Sequence, residues 1–160
     1  MNTRALLLAG AAVTAFSSAA HAERGAQGQL NMIFWQAPST LNLYLSTGTK
    51  DITAASLVLE PLANFDAKGD LVAKLAAEIP TLENGGVAQD GKSITWKLKD
   101  GVKWSDGTPL TAEDVKFTAE YCMDESGGCA QAAKFTGIAS VEVVDPLTVK
   151  INFTEARPYP

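Results

Sequence analysis

Three kinds of side chain in this 160-residue sequence carry chemistry. Ser46-Thr47-Gly48-Thr49 sets three hydroxyls around a glycine. Hydroxyls both donate and accept, and a glycine lets another backbone come close, so the segment suits non-covalent capture of a polar ligand; an ordinary polar loop has the same composition. Trp35, Trp96 and Trp104 offer π faces for stacking on a ligand. Trp96 and Trp104 stand in alternating strand patterns, where core packing is the simpler role. Cys122 and Cys129 are the two cysteines. Their spacing is wider than a Cys-x-x-Cys redox or metal pair and no further ligands accompany them, so in an oxidising compartment a disulfide is the simplest reading.

Nothing in the sequence assembles a reaction centre. A hydrolase needs a nucleophile with a base, or two carboxylates held on one site. Ser105-Asp106 and Asp124-Glu125 are adjacent in turn-forming stretches, and neither a Gly-x-Ser-x-Gly elbow nor a phosphate-cradling glycine loop occurs. Asp66 and Asp70 are too few carboxylates for a calcium loop. We therefore expect no catalytic residue, no metal site and no cofactor.

The first 22 residues read as an export signal: Arg4 in a short polar start, an apolar run from Ala5 to Phe16, and Ala20-His21-Ala22 as a small-x-small cleavage site. The apolar run is shorter than the roughly 18 residues a membrane span needs. Cleavage there removes His21, the only histidine, and with it the only imidazole available as base or ligand. It also removes Arg4, taking the formal net charge from −5 to −6. An acidic chain argues against nucleic acid as partner. Hydrophobic residues make up 46% and charged residues 19%, enough apolar content for one domain to bury a core.

The elements that hold these residues follow from periodicity and turn chemistry. Ile94, Trp96 and Leu98 alternate with Thr95, Lys97 and Lys99, the period of a half-buried strand. Asp100-Gly101 and Asp106-Gly107 mark two tight turns around a short strand at Val102-Lys103-Trp104. Thr111 with Asp114 resembles a capping box and starts a helix at Ala112. Val115, Thr118, Ala119 and Cys122 form its apolar face, which Phe117 and Tyr121 widen. Ile138 to Val144 and Leu147 to Phe153 make an antiparallel hairpin turning at Asp145-Pro146. Earlier, Leu30 to Trp35 suits a buried strand, and Ile52 to Leu59 a two-turn helix that Pro61 stops. Ala63 to Phe65 and Leu71-Val72 pair as short strands, and Val72 to Glu78 forms a short helix or bend. The sum is an α+β unit with antiparallel hairpins and one main helix.

The block from Trp96 to Val115 resembles the signature of the family 5 extracellular solute-binding proteins, the peptide- and nickel-type components of ABC importers. Leu59-Glu60-Pro61-Leu62, Phe65-Asp66-Ala67-Lys68-Gly69 and Leu75-Ala76-Ala77-Glu78-Ile79-Pro80 resemble the same family in order and spacing. The resemblance implies a bilobal α/β fold of the type II periplasmic-binding class in the whole protein. On that reading residues 1–22 are the signal, 23–51 begin the first lobe and 52–160 form an accessory α+β domain, the chain being an N-terminal portion of the carrier. It implies a monomeric periplasmic protein that captures di- or oligopeptides, or a related solute, and delivers them to a membrane permease. By position, Ser46, Thr47, Gly48 and Thr49 resemble the segment whose main chain pairs with bound ligand, and Trp35 falls near the cleft. The competing reading is a secreted hydrolase whose catalytic part lies beyond residue 160.

Overall fold

A three-stranded antiparallel sheet makes the frame of this chain. The computed structural model describes residue 28 and residues 31–157; the expected export signal, with His21, lies outside them. Strand β4 (Ile138–Asp145) turns back into β5 (Thr148–Phe153), with Val141 opposite Ile151 and Val143 opposite Val149. Strand β3 (Ser93–Lys97) pairs with the other edge of β5, Ile94 opposite Ile151 and Trp96 opposite Val149, so the order is β3-β5-β4. All pairs are antiparallel. Residues two apart on a strand share a face, so this register gathers Trp96, Val141, Val143, Val149 and Ile151 on one side.

That face is covered by helix α2 (Ala112–Met123). Ala112 and Ala119 are buried against Val141 and Val149, with Val115, Met123 and Trp96 packed around them. Small residues at the contact let the helix approach the sheet closely. Val149 is wholly buried, and a fully buried side chain of its kind contributes about 1.5–3 kcal/mol. The helix begins where the sequence places it: the Thr111 N–H donates to Asp114 Oδ2 at 2.8 Å. Its Ala112 N–H is satisfied by the Pro146 carbonyl in the β4–β5 turn at 2.8 Å, which ties helix start to sheet turn. Phe117 corrects the expectation: it is 71% exposed. At about 100° per residue it sits some 200° from both Val115 and Ala119, on the far side of the helix.

The approach to α2 is a hairpin between Val102 and Leu110. Gly107, at φ 91, closes it, with the Trp104 N–H bonded to the Thr108 carbonyl at 2.8 Å. Only Lys103 and Pro109 form a bridge there, so the expected strand at Val102-Lys103-Trp104 is a single bridge. Trp104 is 45% exposed rather than packed in the core. Beyond the helix, Cys122 and Cys129 are joined in a disulfide, closing the loop around Asp124 to Gly128.

Earlier in the chain, β1 (Ala63–Phe65) and β2 (Leu71–Ala73) form a two-stranded antiparallel hairpin. After β2 the chain bends without a helix, and Ala76 bridges Leu98. Helix α1 spans Thr49–Ala55, three residues ahead of the expected Ile52. It tightens into turns after Ala55, ahead of Pro61. Residues 31–34 form no strand, and Met32 and Ile33 are exposed. A buried strand needs ladder partners, and no strand among the described residues pairs with this run. From Trp35 onward the chain clusters as one compact unit.

Candidate functional site

The hydroxyl segment is the entrance to α1. A 3₁₀ turn at Leu43–Leu45 precedes it, opened by Asn42, whose side chain accepts the Tyr44 N–H at 2.9 Å. Gly48 is the residue before the first helical position, and its carbonyl accepts from the amides of Asp51 and Ile52, each at 3.0 Å. The Gly48 N–H donates to Ser46 Oγ at 3.0 Å, and that hydroxyl donates onward to Asp51 Oδ2 at 2.7 Å. A Cβ on Gly48 would lie 3.3 Å from both Asp51 Oδ2 and Ser46 Oγ. The glycine therefore makes room for a hydroxyl–carboxylate pair, where the sequence suggested the approach of another backbone.

Asp51 organises the segment. It is 3% exposed. Its Oδ1 accepts the Ser39 N–H at 2.6 Å and the Thr40 N–H at 3.4 Å, with Lys50 Nζ at 3.1 Å. Lys50 Nζ also donates to Ser39 Oγ. The Ser46 hydroxyl first, then the Ser39 amide, hold the Asp51 carboxyl well below the usual carboxylate range. A negative charge in the first turn of a helix adds a favourable interaction with its N-terminal dipole. Asp51 is thus a fixed anion that pins the loop from Ser39 to Ser46 onto the start of α1.

A second anchor comes from far along the sequence. The Ala130 N–H donates to the Tyr44 carbonyl at 2.7 Å. Gln131, itself 6% exposed, donates through Nε2 to the carbonyls of Ser46 at 2.7 Å and Leu43 at 3.4 Å. The Tyr44 and Phe135 rings meet at 6.5 Å between centroids, tilted by 58°. Burial raises the Tyr44 phenol pKa.

Ser46 is therefore occupied internally through both its hydroxyl and its carbonyl. Thr47 and Thr49 are exposed and Gly48 is half-buried. Trp35 lies in a bend, with the residue 70% exposed. The four-residue segment stays together at one helix end, with Thr47 and Thr49 the exposed members. Asp51 and Gln131 were not singled out in the sequence. Asp51 had a local signal, since an acid three residues after Gly48 in the first turn fits a helix start. Gln131 had none.

The arrangement sets hydrogen-bond donors and acceptors around a buried anion. No group of three or more His, Cys, Asp or Glu able to hold a metal ion occurs among the described residues. Among them, too, no helix is long and apolar enough to cross a membrane.

Residues 70–160 match the family described as bacterial extracellular solute-binding proteins, family 5 Middle. Over 145 residues the chain is 27% identical to the oligopeptide-binding protein OppA of Bacillus subtilis (strain 168), covering 81% of this chain and 26% of that protein. It is 30% identical over 117 residues to the glutathione-binding protein GsiB of Escherichia coli (strain K12), covering 73% of this chain and 22% of that one. The chain thus spans about a quarter of the length of the curated relatives it matches. Among solved structures it resembles NikZ from Campylobacter jejuni in complex with Ni(L-His), at TM-score 0.66 and 28% identity over 77% of this chain and 23% of that one. Such neighbours have the type II periplasmic-binding fold, of which this chain is an α+β portion. By sequence match and by fold together, the chain belongs to the family 5 bacterial extracellular solute-binding proteins.

Proposed function

We propose that this chain is the front part of the substrate-binding component of an ABC importer, which captures di- or oligopeptides, or a related small solute, and hands them to a membrane permease. The observation that carries this reading is the likeness, across 81% of the chain, to an oligopeptide-binding protein. In this reading residues 1–22 direct export to the periplasm and are removed. Residues 23–51 open the first ligand-closing lobe, residues 52–160 form the accessory α+β domain, and the carrier works as a monomer. Ser46, Thr47, Gly48 and Thr49 present main chain and hydroxyls to the solute, with Trp35 alongside. Capture proceeds by hinge closure: contacts with both lobes favour the closed state, and the solute leaves chemically unchanged.

The test is calorimetric titration of the carrier as the cell exports it, with glutathione, a dipeptide, a nonapeptide and nickel–histidine as probes. Saturable binding of a peptide, with the peptide recovered intact, is the expected result. Recovery of cleaved peptide would sink the carrier reading in favour of a hydrolase, and silence towards every probe would remove the peptide assignment. N-terminal sequencing of the exported product should begin at Glu23.

A further inference from the structure

We propose that Gln131 is a positioning residue for the ligand segment Ser46–Thr49, held in register by the Cys122–Cys129 disulfide. The proposal rests on the carrier reading for its meaning and on this chain's own bonds for its mechanism. Ser46 sits between two anchors. Its hydroxyl is fixed by Asp51 on the adjoining helix, and its carbonyl by Gln131, 85 residues further along. The Gln131 amide reaches the Leu43 carbonyl as well, and the neighbouring Ala130 N–H takes the Tyr44 carbonyl between them. Three carbonyls in a four-residue run are thereby satisfied from one dipeptide.

That dipeptide is rigidly supported. Cys129 stands immediately before Ala130, and its disulfide partner Cys122 lies in the last turn of α2. Cys122 is 2% exposed, on the helix face whose Ala112 and Ala119 pack on Val141 and Val149. A continuous path of fixed contacts runs from the sheet through α2 and the disulfide to Gln131, and from there to the Ser46 carbonyl. Thr47, Gly48 and Thr49 follow at once, so whatever displaces Gln131 displaces the start of the segment. A part-buried carbonyl robbed of its donor loses a net hydrogen bond, which favours one loop conformation over its alternatives.

Amide hydrogen exchange on the whole chain, without ligand, tests this. In Gln131→Ala the amides of Leu45 and Gly48 should exchange about five- to tenfold faster, the factor expected for losing a typical net hydrogen bond. The amides of Val149 and Ile151 in the sheet should stay within about twofold. Gln131→Glu preserves size but presents an acceptor to two carbonyls, so it should accelerate the same amides at least as much as alanine does; a side chain that merely filled space would be spared. Cys122→Ala/Cys129→Ala should reproduce the local pattern, and if that variant does not fold, the two Gln131 variants decide. Unchanged exchange at Leu45 and Gly48, or equal acceleration throughout, overturns the proposal. Because exchange is read without solute, a carrier that binds none of the probes leaves this result standing, and a failed exchange test leaves the carrier reading intact.

Discussion

Reducing the disulfide isolates one term of the stability of this unit. Cys122 and Cys129 are seven positions apart and close a loop of eight residues. On the chain-entropy account, cross-linking a loop of that size removes about 2.5 kcal/mol of unfolded-state freedom at 25 °C. Reduced wild type should therefore be less stable by about 2.5 kcal/mol, with both sulfurs still in place. Cys122→Ala/Cys129→Ala should lose roughly 1 kcal/mol more, because two largely buried sulfur atoms are also deleted. With a urea dependence of roughly 1.5–2.5 kcal/mol per molar, the reduced protein's midpoint falls by about 1–2 M. Its Tm should fall by roughly 8–10 °C for a unit of this size. Tryptophan fluorescence during urea unfolding reports both midpoints, and the oxidised form should show the smaller urea dependence because its unfolded chain exposes less surface. A midpoint that does not move on reduction would refute the loop-closure reasoning. So would a loss above about 5 kcal/mol, which is beyond the range disulfides supply and would mean the native contacts of Ala130 and Gln131 collapse with the bond.

Two further expectations bear on the core and the loop. Val149→Ala should cost about 2–3 kcal/mol, for two methyl groups lost at a wholly buried site, whereas Phe117→Ser on the exposed far face of α2 should change stability by no more than about 0.5 kcal/mol; parallel urea titrations compare them. For Asp51 the folded pKa is lowered, so its contribution is fully present above the unfolded carboxyl pKa of about 3.9 and is lost as pH falls below that value through the folded one. Ser46→Ala removes the largest cause of the lowering, so the Asp51 carboxyl resonance should titrate at higher pH in that variant, and the stability lost below the unfolded carboxyl pKa should be smaller and level off at higher pH.

What the sequence disclosed was whatever is decided within about ten residues. Alternation through Ile94, Trp96 and Leu98, the Asp106-Gly107 turn, and Thr111 paired with Asp114 each carry their own geometry, and each stands in the structure where it was read. The failures are of longer range or of angle. Phe117 looked like an extension of the apolar face because it is apolar and close in sequence, yet two positions along a helix is more than half a turn. Leu30 to Trp35 looked like a buried strand because the run is apolar, but burial needs a partner ladder, and hydropathy names none. The placing of β5 between β3 and β4 depends on Leu98, Pro146 and Leu147 meeting across nearly fifty residues, through the Leu98 N–H on the Leu147 carbonyl and the Ala112 N–H on that of Pro146.

The candidate site repeats this division. Ser46-Thr47-Gly48-Thr49 was legible as a group because composition alone marks hydroxyls around a glycine. That the group opens a helix was half legible, since Asp51 stands where a first-turn acid belongs. The anchor from afar was not legible at all, because the Ser46 carbonyl is claimed by a residue 85 positions away. Asp51 and Gln131 hold the frame through Ser46, and Gly48 is held through its own N–H and carbonyl, so substitutions at the exposed Thr47 and Thr49 side chains are the ones that leave these bonds in place.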